Sequence, residues 1–306
     1  MYKGKFAAKR ASVCSLSLFS GPDTVKIVVG AERRNFFISR QLLASCQFFR
    51  DQIDSTQLKF ADGQAQIVIL LENQCPYMFN LFSFWLHEKK GFDSFIDEAD
   101  ADDCCEELHW DLVNLHLFAA QVGLPALQDL AMDGIQDLYL RCNWDINPKL
   151  ISYIYNECDP QESCRIRKWM VAMSAWTLGG VGADAMADRI RRLFDECPGF
   201  WEEYDNHLKK MHLSKLQLQL KNPQLRLPSN NLRGEERQFG FRRCSFHTHR
   251  STIGQGKCPS SIAFQMASPS SDGYLDSDSE RGSLKSGSRI YSVISNIIHE
   301  SDLESP

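Results

Sequence analysis

Six tryptophans lie between Trp85 and Trp201, and none lies outside that window. Large aromatic side chains bury about 150–250 Å² each, so the core must be assembled from this window and the chain just before it. The far end of the chain points the same way. Residues 229–306 hold seventeen serines in 78 positions, mixed with Gly, Pro and Asp. Such a segment cannot bury enough apolar surface to offset the entropy of ordering it. The expectation is a folded body of roughly 200 residues followed by a disordered tail.

Within the body, Val25, Ile27 and Val29 alternate with Lys26 and Val28 up to Gly30, and a second apolar run, Phe36-Phe37-Ile38, follows Asn35. This spacing predicts a β-hairpin with a loop longer than the tightest type. Leu42, Cys46, Phe49 and Ile53 then step at helical spacing. The run QIVILL, Gln66 to Leu71 behind an Asp62-Gly63 turn, predicts a short, fully buried strand. From there the pattern is helical. Met78, Leu81, Phe82 and Trp85 share one face, and Leu108, Leu112, Leu115, Ala119 and Val122 repeat up to Gly123. Pro125, Pro148 and Pro198 suit first turns of helices, Gly179-Gly180 stops a helix carrying Trp169, Met173 and Trp176, and Asp184 can cap the next. These helices are expected to pack on the sheet, because Trp169, Trp176 and Trp201 need cover. The pattern fails from about Ser214. One tail segment, Ile290, Val293, Ile294, Ile297 and Ile298, still steps as an amphipathic helix over 288–299. A helix that short does not stand alone in water, but it would form against a partner's groove.

The net charge of −5 hides a split. No Lys or Arg occurs between Lys90 and Arg141, and Asp93 to Asp111 carries nine carboxylates. From Asn206 to Lys257 there are eleven Lys and Arg against Glu235 and Glu236. Internal attraction, a charged partner and solvated faces all fit such a split, the last by default. Eleven cysteines without framework spacing predict reduced thiols and hence cytoplasm or nucleus. No apolar run reaches the roughly 18–20 residues of a membrane span. Residues 1–22, with Lys3, Lys5, Lys9 and Arg10 and no acid, are expected to form a disordered basic lead, a composition shared with organelle transit peptides.

The order hairpin, helix pair, strand, helices resembles a BTB/POZ domain over residues 23–140. Asp23-Thr24-Val25-Lys26-Ile27-Val28-Val29-Gly30 is similar to that family's opening strand. Phe37-Ile38-Ser39-Arg40-Gln41-Leu42-Leu43 and Ser45-Cys46-Gln47-Phe48-Phe49-Arg50 resemble its second strand and first helical hairpin. Ile67-Val68-Ile69-Leu70 is similar to the third strand, and Phe84-Trp85-Leu86-His87 to the end of the following helix. Ser39 stands where the family often has His, and the acidic stretch Glu88–Cys105 reads as a long loop where many relatives have a short strand and turn. The whole layout resembles the BTB proteins common in filamentous fungi. The resemblance implies an α+β fold: a small three-stranded sheet covered by helices, then a helical extension over 145–213 and a disordered tail over 214–306.

The resemblance also implies work done by surfaces, as a protein-interaction scaffold or adaptor. Expected partners are a second copy, another BTB protein, or a cullin. In the cullin case the chain would be a substrate adaptor of a ubiquitin ligase, docking through Met78 on the helix Tyr77–Leu86 and Phe92, Phe95 and Ile96 in the loop after it. A transcription- or chromatin-linked role for the basic stretch, where Phe239, Phe241 and Phe246 lie among arginines, is the third reading. Nucleic acid is disfavoured because specific recognition needs a folded reader; a membrane and a small-molecule substrate are not expected.

Convergent catalytic chemistry is absent from the pattern. There is no Gly-x-Ser-x-Gly elbow, no His-Glu-x-x-His and no phosphate-loop lysine, so no enzyme, catalytic residue or cofactor is expected. Glu106, His109 and His116 could share a helix face, but as solvated or capping groups. Cys244, His247, His249 and Cys258 are zinc-capable ligands in order, yet C-x2-H-x-H-x8-C matches no common finger, and no metal site is expected. Arg242-Arg243-Cys244-Ser245 resembles a basophilic kinase site, which makes Ser245 a candidate phosphosite. Ser277-Asp278-Ser279-Glu280 resembles an acidophilic one.

Overall fold

The first strand follows from its own alternation. In the computed structural model, which describes residues 23–55, 59–61, 64–179, 184–217, 221–227, 236–242 and 244–249, β1 (Thr24–Val29) buries Val25, Ile27 and Val29 completely. It pairs antiparallel with β2 (Arg34–Ser39), Val25 opposite Ile38 and Ile27 opposite Phe36. The connection uses two left-handed residues, Gly30 (φ 73°) and Arg33 (φ 53°). Gly30 has a second reason to lack a side chain. A Cβ there would stand 2.8 Å from Pro76 Cγ and 3.1 Å from the Gln74 carbonyl oxygen, while the Gly30 N–H donates to the Leu71 carbonyl at 3.0 Å. Gly30→Ala is therefore expected to cost about 2 kcal/mol. The change should appear as a lower urea midpoint at constant slope; an unmoved midpoint would contradict this close approach.

Two short helices follow, α1 (Arg40–Leu43) and α2 (Gln47–Ser55), then β3 (Lys59–Ala61) and β4 (Gln64–Leu71). β4 lies parallel to β1, Val25 beside Ile67 and Ile27 beside Ile69. β3 pairs antiparallel with β4 on its far side, so the strand order is β2-β1-β4-β3. The three expected strands form a mixed run, β2-β1-β4, and β3 adds a short fourth beside β4. The expectation of full burial for Gln66–Leu71 is corrected. Ile69 is 2% exposed but Leu70 is 45% exposed, because alternate residues of β4 point to opposite faces and Ile69 lies on the one shared with Val25, Ile27 and Val29.

Helix α3 (Pro76–Glu88) buries Met78, Phe79, Leu81, Phe82, Trp85 and Leu86. Phe82 stacks on Phe49 of α2 at 5.5 Å and meets Phe118 edge-on at 5.4 Å. The acidic stretch predicted as a loop contains a helix, α4 (Asp93–Ala101). Phe92, Phe95, Ile96 and Ala99 fall at i, i+3, i+4 and i+7, an inward stripe that the surrounding carboxylates obscure. Arg141 reaches Asp97 and Asp100 from outside.

α5 (Cys105–Gln121) and α6 (Pro125–Cys142) form an antiparallel hairpin. The Gly123 N–H bonds to the Ala120 carbonyl (3.1 Å) and the Leu124 N–H to that of Ala119 (2.8 Å). With Gly123 at φ 71°, this is the αL termination predicted from the glycine. α7 (Pro148–Asn156), capped by Asn147, α8 (Cys164–Gly179), α9 (Asp184–Glu196) and α10 (Pro198–Leu213) complete the helices. One hydrophobic cluster runs from the sheet into α10, and the described residues belong to one compact unit. Trp169 is fully buried, edge-on to Tyr139 at 4.8 Å. The expected cover does not extend to Trp201, which is 46% exposed and rests on Phe194 at 5.0 Å.

The chain does not lose its order at 214, as the failing pattern predicts. β5 (Asn222–Leu227) and β6 (Gly240–Arg242) form a parallel pair with the short α11 (Glu236–Phe239) before β6, and a turn over 244–249 follows. The Gln136 amide donates to the Pro223 carbonyl (3.0 Å), and the Gln224 amide to that of Trp144 (2.7 Å). The lead 1–22, Cys258, Ser277, Ser279 and the stripe Ile290, Val293, Ile294, Ile297 and Ile298 lie outside the described residues. Among the described residues no helix is long and apolar enough to cross a membrane.

Candidate functional site

Three of the four residues predicted to dock a partner are not on the surface. Met78 is 0%, Phe92 2% and Ile96 3% exposed. Phe95 is half-buried, edge-on to Phe84 at 4.9 Å. As members of a helical stripe they seat α3 and α4 in the core, which corrects their reading as an interface. His109 and His116 are likewise core residues, not solvated or capping ones. The His109 Nε2 lies 3.3 Å from the Tyr139 hydroxyl, and the His116 Nδ1 3.0 Å from the Gln128 carbonyl. Burial pushes both imidazoles down to about 4.

The most concentrated polar chemistry lies where residues 221–249 meet α6. Asp129, Asp133 and Asp137 stand at i, i+4 and i+8, so α6 presents them as one stripe. Arg226 of β5 pairs with Asp133 at 2.5 Å and with Asp137. From the turn, the His247 Nε2 is 2.9 Å from Asp133 Oδ1, and the Thr248 N–H donates to Asp129 Oδ1 at 2.7 Å. Arg165 of α8 holds the same turn through the Thr248 carbonyl at 3.3 Å. The side chains of Asp133 and Arg226 are only 15% and 18% exposed.

Each group responds to this crowding. Burial opposes ionisation of Asp133, but His247 and Arg226 outweigh it and hold the carboxyl below its usual range. At Asp137 burial wins and the carboxyl moves up, despite Arg226. Burial opposes the charge of Arg226, and the two carboxylates more than restore it. His247 loses by burial and gains more from Asp133, the Cys244 thiol and Asp129, ending at about 10. The basic stretch thus turns charge inward. Lys221 also donates to the Gly240 carbonyl (2.8 Å) and lies over the Phe241 ring, which packs on Phe246 at 5.2 Å.

Three of the four zinc-capable residues come together. One ligand atom each from Cys244, His247 and His249 lies within 4.8 Å of the others, and all three residues are buried. A second group, Asp100, Cys105 and Cys142, is more open to solvent. Ser245, the candidate phosphosite, is half-buried beside Cys244, its N–H bonded to the Arg242 carbonyl at 2.9 Å. The acidic stripe of α6 went unrecognised in the sequence, although its four-residue spacing was there to be read. Comparisons with protein-family models, curated proteins and solved structures find no match for the chain.

Proposed function

We propose that the protein is an interaction scaffold or adaptor that pairs with a second copy of itself through its sheet. The observation that carries this reading is a second apolar face. By register, Phe37, Lys26 and Val68 lie in one row and Asn35, Val28 and Leu70 in the next, on the side away from Val25, Ile27 and Val29. Leu70 is 45% exposed, Val28 beside it is buried, and Phe37 and Val68 are half-buried. β2 is an outer strand, with β1 as its one strand neighbour among the described residues. An outer strand beside a partly apolar face is a template for isologous pairing. The BTB/POZ resemblance supports the same reading, since the order of hairpin, helix pair, third strand and helices is the one it rests on.

Size-exclusion chromatography with light scattering on the full chain tests this. A dimer is expected at micromolar concentration, and Leu70→Glu, at an exposed site, should return it to monomer without changing the circular dichroism. A wild-type chain that stays monomeric at high micromolar concentration would remove the proposal.

A further inference from the structure

We propose that Cys244, His247, His249 and Asp129 form a structural zinc centre that clamps the turn after β6 onto α6. The first support is the turn itself. The His247 N–H bonds to the Cys244 carbonyl (3.3 Å), closing a knuckle that brings the thiol and both imidazoles together out of water, with Cys244, His247 and His249 at 1%, 2% and 9% exposure.

The second is the state of His247. Its Nε2 is engaged by Asp133 at 2.9 Å, while its buried Nδ1 makes no hydrogen bond of ordinary geometry and faces Asp129 at 3.8 Å, so that a metal there would take the place of the proton these neighbours hold on the ring. An imidazole with one nitrogen on a carboxylate and the other aimed into a cluster of ligand atoms is the arrangement that orients a metal-binding histidine. Asp133 is itself fixed by Arg226, so the ring cannot easily turn.

The third is Asp129, which stands beside the two histidines. Its Oδ1 accepts the Thr248 N–H, and its Oδ2 lies 3.8 Å from His247 Nδ1 and 3.5 Å from His249 Nδ1. These separations are long for hydrogen bonds. They suit the edges of a tetrahedron whose metal–ligand bonds are about 2.0–2.3 Å, which span about 3.3–3.8 Å. One sulfur, two nitrogens and one carboxylate oxygen favour zinc over magnesium or calcium, and the closed surroundings favour a structural role over a catalytic one. The metal would tie a segment with little apolar surface of its own to α6, joining binding to folding.

Elemental analysis of the full chain, purified without chelator from zinc-supplemented culture, is expected to find about one zinc per chain. Cys244→Ser and His249→Ala should lose it. Because either variant could also unfold, the wild-type chain exchanged with cobalt(II) supplies a separate reading: a thiolate-to-cobalt charge-transfer band. Asp133 is a positioning residue, and Asp133→Asn should weaken zinc retention against a competing chelator by about 10–100-fold while leaving the near-ultraviolet circular dichroism of the zinc-loaded protein in place. Cys258→Ser and Cys142→Ser should both keep the metal. A wild-type chain that takes up no zinc on titration and shows no cobalt–thiolate band would overturn the proposal. Loss of zinc in Cys258→Ser with retention in Asp129→Asn would overturn the fourth ligand, and loss in Cys142→Ser would move the site to the other cysteine cluster.

Discussion

Arg226→Met is expected to lower the unfolding free energy by about 3–5 kcal/mol, the usual cost of removing one partner from a buried ion pair. Arg226 is shared by Asp133 and Asp137, whose side chains are 15% and 31% exposed, and Met fills much of the same volume without the charge. What remains is two carboxylates one helical turn apart, with His247 engaging only Asp133. Urea unfolding at neutral pH measures the loss. The double variant Arg226→Met with Asp137→Leu should recover part of it, since replacing both partners costs less than orphaning one. Burial already pushes the Asp137 carboxyl up, so it is the group that takes a proton once Arg226 is gone, and the deficit should shrink towards acid pH. A loss below about 1 kcal/mol would mean that the cluster behaves as a solvated surface pair.

The same cluster shows where local pattern stops being informative. The hairpin, the helices and the Gly123 termination are legible because each is written in the spacing of neighbouring residues: Val25, Ile27 and Val29 for the strand, Leu108 to Val122 for the helix. Residues 221–249 hold their place through groups distant in sequence. Arg226 meets Asp137 across 89 positions, and Thr248 meets Asp129 across 119. No periodicity encodes such contacts, so a serine-rich and basic composition argued for disorder throughout. The basic excess after Asn206 left internal attraction open, with solvated faces as its default reading, and Arg226 pairs with Asp133 and Asp137 and not with the acids of 93–111.

Two other differences have local causes. In α4 the carboxylates Asp93, Asp97, Glu98 and Asp100 are as many as Phe92, Phe95, Ile96 and Ala99, and mean polarity hid a correct helical phase. That misreading turned Phe92, Phe95 and Ile96 into a supposed interface, because an apolar side chain in a loop and one on a helix's inward stripe look alike until the phase is known. At Leu70 the run of apolar residues predicted cover for each side chain, whereas the sheet buries Ile69 on one face and leaves Leu70 exposed on the other. The zinc-capable residues 244, 247 and 249 were visible as a list of ligands. What the chain order could not supply was α6, which brings Asp129 beside the two histidines and Asp133 behind His247.

Below pH 6.5 the fold should lose about 3 kcal/mol through His109 alone as the pH approaches 4. His109 is 1% exposed among the rings of Trp110, Tyr139 and Trp144, at 5.2, 5.3 and 6.0 Å, and burial takes its pKa from 6.5 to about 4. In the unfolded chain it protonates near 6.5, so between these values the unfolded state binds more protons than the folded one. Stability from keeping this ring neutral is fully present above pH 6.5 and disappears as the pH falls through 4. His109→Gln keeps a polar neighbour for the Tyr139 hydroxyl but does not titrate. Its stability should therefore fall less steeply than that of the wild type between pH 6.5 and 4, and the difference between the two curves isolates this one group from His116 and the acid loss of any zinc ligand. Parallel curves would show that His109 is hydrated in the folded protein and that the α5–α6 core is open at that point.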